Sequence, residues 1–308
     1  MTLLAPDTIG VELRPVDVGP LPAFTAGSHI ELHLPNGLSR SYSLVNGQDE
    51  TDRYELAVKR EAAGKGGAAY IHERLRPGDM VEISSPRNNF MLEESAPHSI
   101  LFAGGIGITP VMSMVDRLTR LGRPFELYYA ARSRSYAAFA DRLKVFAEVP
   151  GASVHIRFGD EVGGQRIDIR GIADAAPEHT HFYCCGPQSM IAAFEAALSH
   201  IANTRVHREH FSGTADLGRQ GGFDVILARS GRTIRIPEGQ TILETLLGEG
   251  IDVEFSCMEG FCGSCKVNVV EGVPEHKDTV LSATERASNK VMLLCCSTAA
   301  GEKLVLDL

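Results

Sequence analysis

The chain has 308 residues, 44% of them hydrophobic, and a net charge of −9. That length exceeds one average core, so two or three domains are expected, and the acidic balance excludes nucleic acid as a natural partner while leaving a basic protein surface possible. No stretch approaches the roughly 18 consecutive apolar residues of a membrane span, and the opening "MTLLAPDTIGVELRPV" lacks the features of an export signal, so a soluble, cytoplasmic protein with no membrane partner is expected.

Residues 1–96 read as β structure. "HIELHLP" (29–35), "YELAVKR" (54–60) and "MVEISSP" (80–86) are strand-like runs separated by "PNG", "AAGKGG" and "RPGD", a pattern that predicts a small antiparallel barrel. In "LSRSYSL" (38–44), Arg40, Tyr42 and Ser43 place a guanidinium, a ring and a hydroxyl on one strand, expected to face one side toward a phosphate, a ring face and a ring edge. Over residues 97–212 the rhythm changes. The apolar strand "SILFA" (99–103) runs into "GGIGITP" and a helical pattern with Val111, Met114, Val115 and Leu118. The strands "FELYYAA" (125–131), "VHIRF" (154–158) and "HFYCC" (181–185) alternate with the helical runs "AAFADRLKVFAEV" and "QSMIAAFEAALSHI". Such alternation predicts a parallel, doubly wound α/β sheet. Residues 213–222 are small, polar and Gly-rich, and read as a linker. Residues 223–308 predict a third, α+β domain, opening on a hairpin that turns at Ser230-Gly231 and built around a cysteine-lined loop.

Seven cysteines, an odd number in a chain without an export signal, argue against a disulfide framework. Zinc usually takes two C-x2-C knuckles, and only Cys262 and Cys265 form one. The full spacing of Cys257, Cys262, Cys265 and Cys295 is C-x4-C-x2-C-x29-C, the plant-type [2Fe–2S] pattern. Adjacent Cys295 and Cys296 would face opposite ways in an extended strand, and the spacing selects Cys295 as the ligand. Such a cluster accepts one electron at a time. "AGGIGITP" (103–110) and "YCCGP" (183–187), each ending an apolar strand, are the two loops expected to border a nucleotide at the carboxyl ends of a parallel sheet. A nicotinamide delivers two electrons as hydride, so a flavin is expected in the first domain as the converter. "RSRS" (132–135) is open to two readings, a solvated strand end or a cradle in which Arg132, Ser133 and Arg134 meet the adenosine ribose or a 2′-phosphate. His29, His33 and His155 read as strand-face residues, and Glu254 and Glu259 give the cysteine loop an acidic rim.

Together "RSYSL", "VKREAAGKGGAAYIHE", "AGGIGITP", "YYAARS", "YCCGP", "HREHFS", "CMEGFCGSC" and the closing "LVLDL" resemble the phthalate dioxygenase reductase family, including the vanillate demethylase reductases, over the whole chain. The resemblance implies an NADH-dependent oxidoreductase that holds FMN and a [2Fe–2S] cluster, works as a monomer and serves a Rieske-type oxygenase. A cytochrome P450 or other haem acceptor is the alternative, and a zinc-bearing, nucleotide-binding non-enzyme the more distant one. It further implies that Arg40, Tyr42 and Ser43 form the flavin signature, and that Lys59, Gly66, Gly67 and Ala68 surround the flavin phosphate. Position 68 is Ala where the family often has Ser, so backbone amides replace a hydroxyl there. Gly104, Gly105, Gly107, Thr109 and Pro110 match the first nucleotide loop, Cys185, Gly186 and Pro187 the second, and Phe211 the aromatic residue beside the isoalloxazine. Ser43, Thr109, Cys185 and Phe211 are thereby the candidates for groups at the reacting rings.

Overall fold

The computed structural model describes residues 1–60, 66–161, 166–211, 222–255, 258, 260 and 262–308. The chain divides into two compact units, Met1–Phe211 and Ser212–Leu308, and the stretch read as a linker falls almost wholly outside the described residues.

The first unit opens with strands β1 (Thr2–Ala5), β2 (Thr8–Leu13), β3 (His29–His33), β4 (Ser39–Ser43) and β5 (Tyr54–Lys59), helix α1 (Gly67–Glu73) and strand β6 (Glu82–Ile83). They form two three-stranded antiparallel sheets, β1-β2-β5 and β4-β3-β6. Inward-facing Val11, Ile30, Leu32, Leu56 and Val58 close a shared core with Ile71 of α1. The strand expected over 80–86 is reduced to Glu82–Ile83. Beyond it the Ser84 hydroxyl, in place of a carbonyl, accepts the Glu31 N–H at 3.0 Å, and Pro86 has no N–H to donate.

The second half of this unit carries β7 (Ser99–Gly104), α2 (Ile108–Arg120), β8 (Phe125–Ala131), α3 (Ala140–Ala147), β9 (Ala152–Phe158), α4 (Ile169–Ala175), β10 (His181–Cys185), α5 (Gln188–Ala197) and β11 (Val206–Glu209). The sheet is parallel in the order β11-β10-β7-β8-β9, so the chain reverses direction across the sheet between β7 and β10. Alternate residues of each strand supply two cores. Leu101, Ala103, Leu127, Tyr129, Tyr183 and Cys185 pack with α2 on one face. Ile100, Phe102, Phe182 and Cys184 pack with α4 and α5 on the other. The helix expected from Ala137 begins only at Ala140, because Phe139 before it takes a left-handed backbone at φ 65°.

The two halves of the unit interlock. Ser113 of α2 is fully buried; its hydroxyl accepts the Gly27 N–H at 3.1 Å and donates to the Pro110 carbonyl at 2.9 Å. Arg117 grips Glu94 with two hydrogen bonds, at 2.8 and 2.7 Å.

The second unit contains β12 (Phe223–Leu227), β13 (Thr233–Ile236), α6 (Ile242–Gly248), β14 (Lys266–Glu271), β15 (Pro274–Glu275), α7 (Ala283–Ser288), β16 (Val291–Leu293), β17 (Thr298–Ala299) and β18 (Lys303–Leu306). Its main sheet runs β13-β12-β18-β14-β16, and Ile242, Leu243 and Leu246 of α6 cover the Val225, Ile234, Ile236 and Leu304 side. Both helices start on a reciprocal cap, Thr241 with Glu244 and Ser282 with Glu285.

Ser113→Ala leaves the Gly27 N–H buried without its acceptor. The expected loss is about 1–3 kcal/mol, read as a lower urea midpoint for the first unit, and an unchanged midpoint would mean that water replaces the hydroxyl.

Candidate functional site

The two glycine loops meet at the point where the sheet reverses. Residues Gly105–Gly107 form one 3-10 turn after β7, with Gly105 at φ 54°. A Cβ on Gly107 would lie 2.2 Å from the Cys185 carbonyl oxygen and 2.8 Å from the Gly186 nitrogen, and one on Gly104 would lie 2.6 Å from Pro187 Cδ. Only bare backbone permits this approach, so these positions require glycine. Thr109 is buried, and its hydroxyl donates to the Ile106 carbonyl at 3.0 Å, so it closes the turn rather than projecting from it. Pro110 is buried in the first turn of α2, where a missing N–H costs nothing. At the end of β8, the Arg132 guanidinium lies over the Tyr136 ring at 4.8 Å, and Ser133 Oγ is 2.9 Å from Ser135 Oγ.

The parallel register sets Cys185 beside Glu209. Their Sγ and Oε2 atoms are 4.0 Å apart, and Phe211, two residues further on, packs half-buried against the same core. Burial, with Glu209 and then Cys184 adding to it, pushes the Cys185 thiol up, so it is an uncharged side chain at neutral pH. Desolvation pushes the Glu209 carboxyl up to about 8. Glu209 is the residue that sequence reasoning missed. Its motif, "HREHFS", was visible, but an acid on a short strand reads as solvated until the pairing with β10 is known.

In the first β domain, β4 presents Arg40 and Tyr42 on one face and Ser43 on the other, so the expectation that all three share a side is corrected by the two-residue period of the strand. A Cβ on Gly67 would meet the Arg40 side chain at 2.6 Å from Cγ and 3.0 Å from Nε. Arg40 therefore lies across the start of α1. Gly66 there is left-handed at φ 84°, and among the described residues the first turn has no side-chain cap. A guanidinium beside uncapped amides suits an anion such as a flavin phosphate. Tyr42 packs with Ala68 and Tyr70 against the barrel core, and burial, opposed by Arg40, pushes its phenol up to about 12. Lys59, the last residue of β5, is half-buried; residues 61–65 of the same motif lie outside the described residues.

In the second unit Cys262, Cys265 and Cys295 are buried, at 5%, 4% and 1% exposure. Cys257 lies outside the described residues. Met258, Gly260 and Gly263 all take left-handed backbone, and the Ser264 N–H donates to Cys262 Sγ at 3.5 Å. The Leu294 N–H reaches the Cys265 carbonyl at 3.1 Å, tying the loop to the segment that carries Cys295. Among the described residues no three His, Cys, Asp or Glu side chains gather closely enough to hold one metal ion. A two-iron cluster spreads its thiolates over two metals, so buried sulfurs with an amide donor fit it without such a triad. The structure revises one expectation, since β16 ends at Leu293 and Cys295 and Cys296 follow in a turn rather than an extended strand. Both are buried, and Cys296 Sγ faces the Gly260 backbone.

A parallel sheet with paired glycine loops, a β domain with a guanidinium-lined anion cradle and a cysteine-loop module define a flavin- and nicotinamide-nucleotide-dependent iron–sulfur oxidoreductase. Residues 21–92 match the oxidoreductase FAD-binding domain, 101–196 the oxidoreductase NAD-binding domain, and 225–300 the 2Fe-2S iron-sulfur cluster binding domain. The chain is 47% identical to tetrachlorobenzoquinone reductase of Sphingobium chlorophenolicum over 100% of its length and 96% of that protein. It is 48% identical to the phenoxybenzoate dioxygenase subunit beta of Ectopseudomonas oleovorans, covering 99% and 94%. Among solved structures, phthalate dioxygenase reductase matches at 37% identity with a TM-score of 0.75, over 100% of this chain and 95% of that one. An intact self-sufficient cytochrome P450 monooxygenase matches at 38% identity with a TM-score of 0.85, over 99% of this chain but 40% of that one. The chain belongs to the phthalate dioxygenase reductase family. No helix among the described residues is long and apolar enough to cross a membrane.

Between the ordinary carboxylate range and about pH 8, folded Glu209 keeps a proton that the unfolded chain has released, so stability falls as pH rises through that window. Glu209→Gln removes this slope. Urea unfolding from about pH 5 to 8 should show wild type losing about 1 kcal/mol per pH unit relative to the variant. Parallel curves would mean that the carboxylate is solvated.

Proposed function

We propose that the protein carries electrons from NADH to a Rieske-type oxygenase, with FMN held in the first β domain and a [2Fe–2S] cluster held by Cys257, Cys262, Cys265 and Cys295. It is proposed to work in the cytoplasm as a monomer, with domains spanning 1–96, 97–212 and 223–308. The observation that carries the reading is the direct backbone contact of Gly107 with Cys185 and Gly186. It builds a crevice of main-chain groups at the switch point of a parallel sheet, where dinucleotides bind.

Bound flavin supplies the exchange between a hydride and single electrons, and the bound cluster supplies one-electron carriage. The protein's own part is to bind, orient and exclude water. Arg40 and the amides of Gly66, Gly67 and Ala68, with Lys59 nearby, are proposed to take the FMN phosphate and Tyr42 the ring face, while Ser43, whose side chain is buried on the other face of β4, offers the ring edge its main chain alone. Gly104, Gly105, Gly107, Pro110, Gly186 and Pro187 take the dinucleotide, with Thr109 holding their turn closed. Cys185 and Phe211 border the nicotinamide. Glu209 keeps a proton on its carboxyl beside Cys185 at neutral pH, which keeps net charge out of that pocket. Arg132 and Ser133 are assigned to the adenosine ribose. NADH is preferred over NADPH on the family resemblance. The choice of FMN is supported by the family resemblance.

The name of the dioxygenase subunit relative supports an oxygenase acceptor. Two other acceptors each have one observation in their favour, a P450 from the self-sufficient monooxygenase and a quinone from the tetrachlorobenzoquinone reductase. The zinc reading is overturned by the match to a 2Fe-2S domain and the reductase relatives.

The deciding experiment uses Cys262→Ser. Loss of NADH-driven turnover of an oxygenase, with ferricyanide reduction kept, is the expected result; equal loss of both would overturn the series order. Wild type that reduces a chlorinated quinone but no oxygenase would move the assignment to the quinone.

Arg40→Ala tests the cradle. Removing a charge-assisted contact of about 1.5–3 kcal/mol should release flavin on dilution while the visible absorbance of the cluster stays. Full flavin retention at micromolar protein would make Arg40 a plain strand residue.

A further inference from the structure

One short helix holds the cysteine loop just after Cys265 and, through a strap, at Gly260. Lys266 directly follows Cys265, and its ammonium meets Glu285 of α7 at 2.6 Å. That contact, with the Ser282 cap, holds the Glu285 carboxyl down at about 2. The neighbouring residue of α7, Arg286, reaches the strap. Its Nε donates to the Leu281 carbonyl at 3.1 Å, and its Nη2 to the Asp278 carbonyl and, at 3.3 Å, to Asp278 Oδ1. Asp278 and Thr279 form the strap beside Gly260. The Thr279 N–H donates to the Gly260 carbonyl at 2.9 Å, and a Cβ on Gly260 would lie 3.3 Å from Asp278 Cα.

The Asp278 carboxylate is an unusual charge to place there. Its side chain is fully buried, and Oδ1 accepts the Val280 and Leu281 N–H groups at 3.0 and 2.7 Å. Oδ2 has no partner among the described residues. The group facing it is His276, whose Nδ1 is 3.9 Å away and whose two ring nitrogens are likewise without partners among those residues. Arg286, 37% exposed, meets the carboxylate at Oδ1. A buried charge acts through protein rather than water, so its field on a neighbouring site is weakly screened.

We propose that Asp278 and Arg286 are positioning residues that set the reduction potential of the cluster held in this loop, the carboxylate lowering it and the guanidinium raising it. The inference rests on the assignment of Cys257, Cys262, Cys265 and Cys295 as cluster ligands. The physical basis is that net charge near an iron–sulfur cluster is one of the main determinants of its potential. Adding an electron beside an unscreened carboxylate is disfavoured, and a guanidinium on the same strap offsets this.

The test is a spectroelectrochemical titration of the full-length holoprotein, with iron content and the visible and EPR spectra recorded for each variant. Asp278→Asn keeps the shape and the Oδ1 contacts and removes the charge. It should favour the reduced cluster by about tenfold, which is 59 mV for a one-electron couple. Arg286→Gln should move the potential the opposite way, and Arg286→Lys should restore it toward wild type. General loosening of the loop would shift both variants in one direction, so opposite signs support the proposal. Shifts of one sign, or no shift with both irons retained, overturn it. If Asp278→Asn fails to hold iron, a lowered potential in Arg286→Gln that Arg286→Lys restores supports the proposal, and an unchanged or raised potential, or no restoration by Lys, overturns it. Wild type lacking a [2Fe–2S] spectrum would instead overturn the ligand assignment, an outcome visible before any variant is made.

Discussion

The contact between the Gly107 backbone and the Cys185–Gly186 peptide is the constraint on which the first unit depends. It exists because β7 and β10 are neighbours in the sheet although their paired residues lie far apart in sequence, His181 opposite Ser99. At 2.2 Å from the Cys185 oxygen, even a methyl group on Gly107 would force the two strand ends apart. The approach removes side chains from the crevice and leaves main-chain groups lining it. A surface of this kind recognises a pyrophosphate by geometry and local dipole, with no fixed positive side chain needed. This agrees with an acidic protein that must still bind a polyanionic dinucleotide.

Backbone direction then assigns different fates to chemically identical neighbours. Cys184 and Cys185 are adjacent on β10, yet Cys184 packs with Phe182 against α5 and Cys185 lies beside Glu209. Strand alternation is enough to separate them. Cys295 and Cys296 pose the same question in the second unit, but a turn answers it. Cys296 fills the space behind Gly260, and the segment's link to the loop runs through the Cys265 carbonyl.

The legible features were those carried by local order. The glycine loops follow apolar strands, and "SILFAGGIGITP" can be read as strand, turn and helix from composition alone. The cysteine spacing needs no tertiary knowledge. What escaped reading was set by long-range pairing. Glu209 is half-buried where β11 lies in register with β10, and Asp278 is buried where Arg286 of α7 returns to meet it. Ser43 was grouped with Arg40 and Tyr42 because a motif is read as a unit, although a strand divides its residues between two faces. The strand expected over 80–86 failed for a related reason, since propensity describes a run of residues and pairing depends on what the partner strand has left to bond.

In both units charge stands beside glycine. The Arg40 side chain crosses Gly67 at the start of α1, and the strap carrying Asp278 crosses Gly260 in the cysteine loop. The glycine lets the main chain approach a ligand, and the charge behind it sets the local potential without occupying the ligand's space. The signs follow what each place has to hold. A guanidinium beside the first amides of a helix favours an anion, whereas a carboxylate beside a thiolate-lined loop resists the arrival of further negative charge. Exchanging the two would weaken anion binding at the first place and make electron release harder at the second. The geometry of the backbone thus decides where a group can sit, and a single charged side chain behind it decides how readily that group is held or reduced.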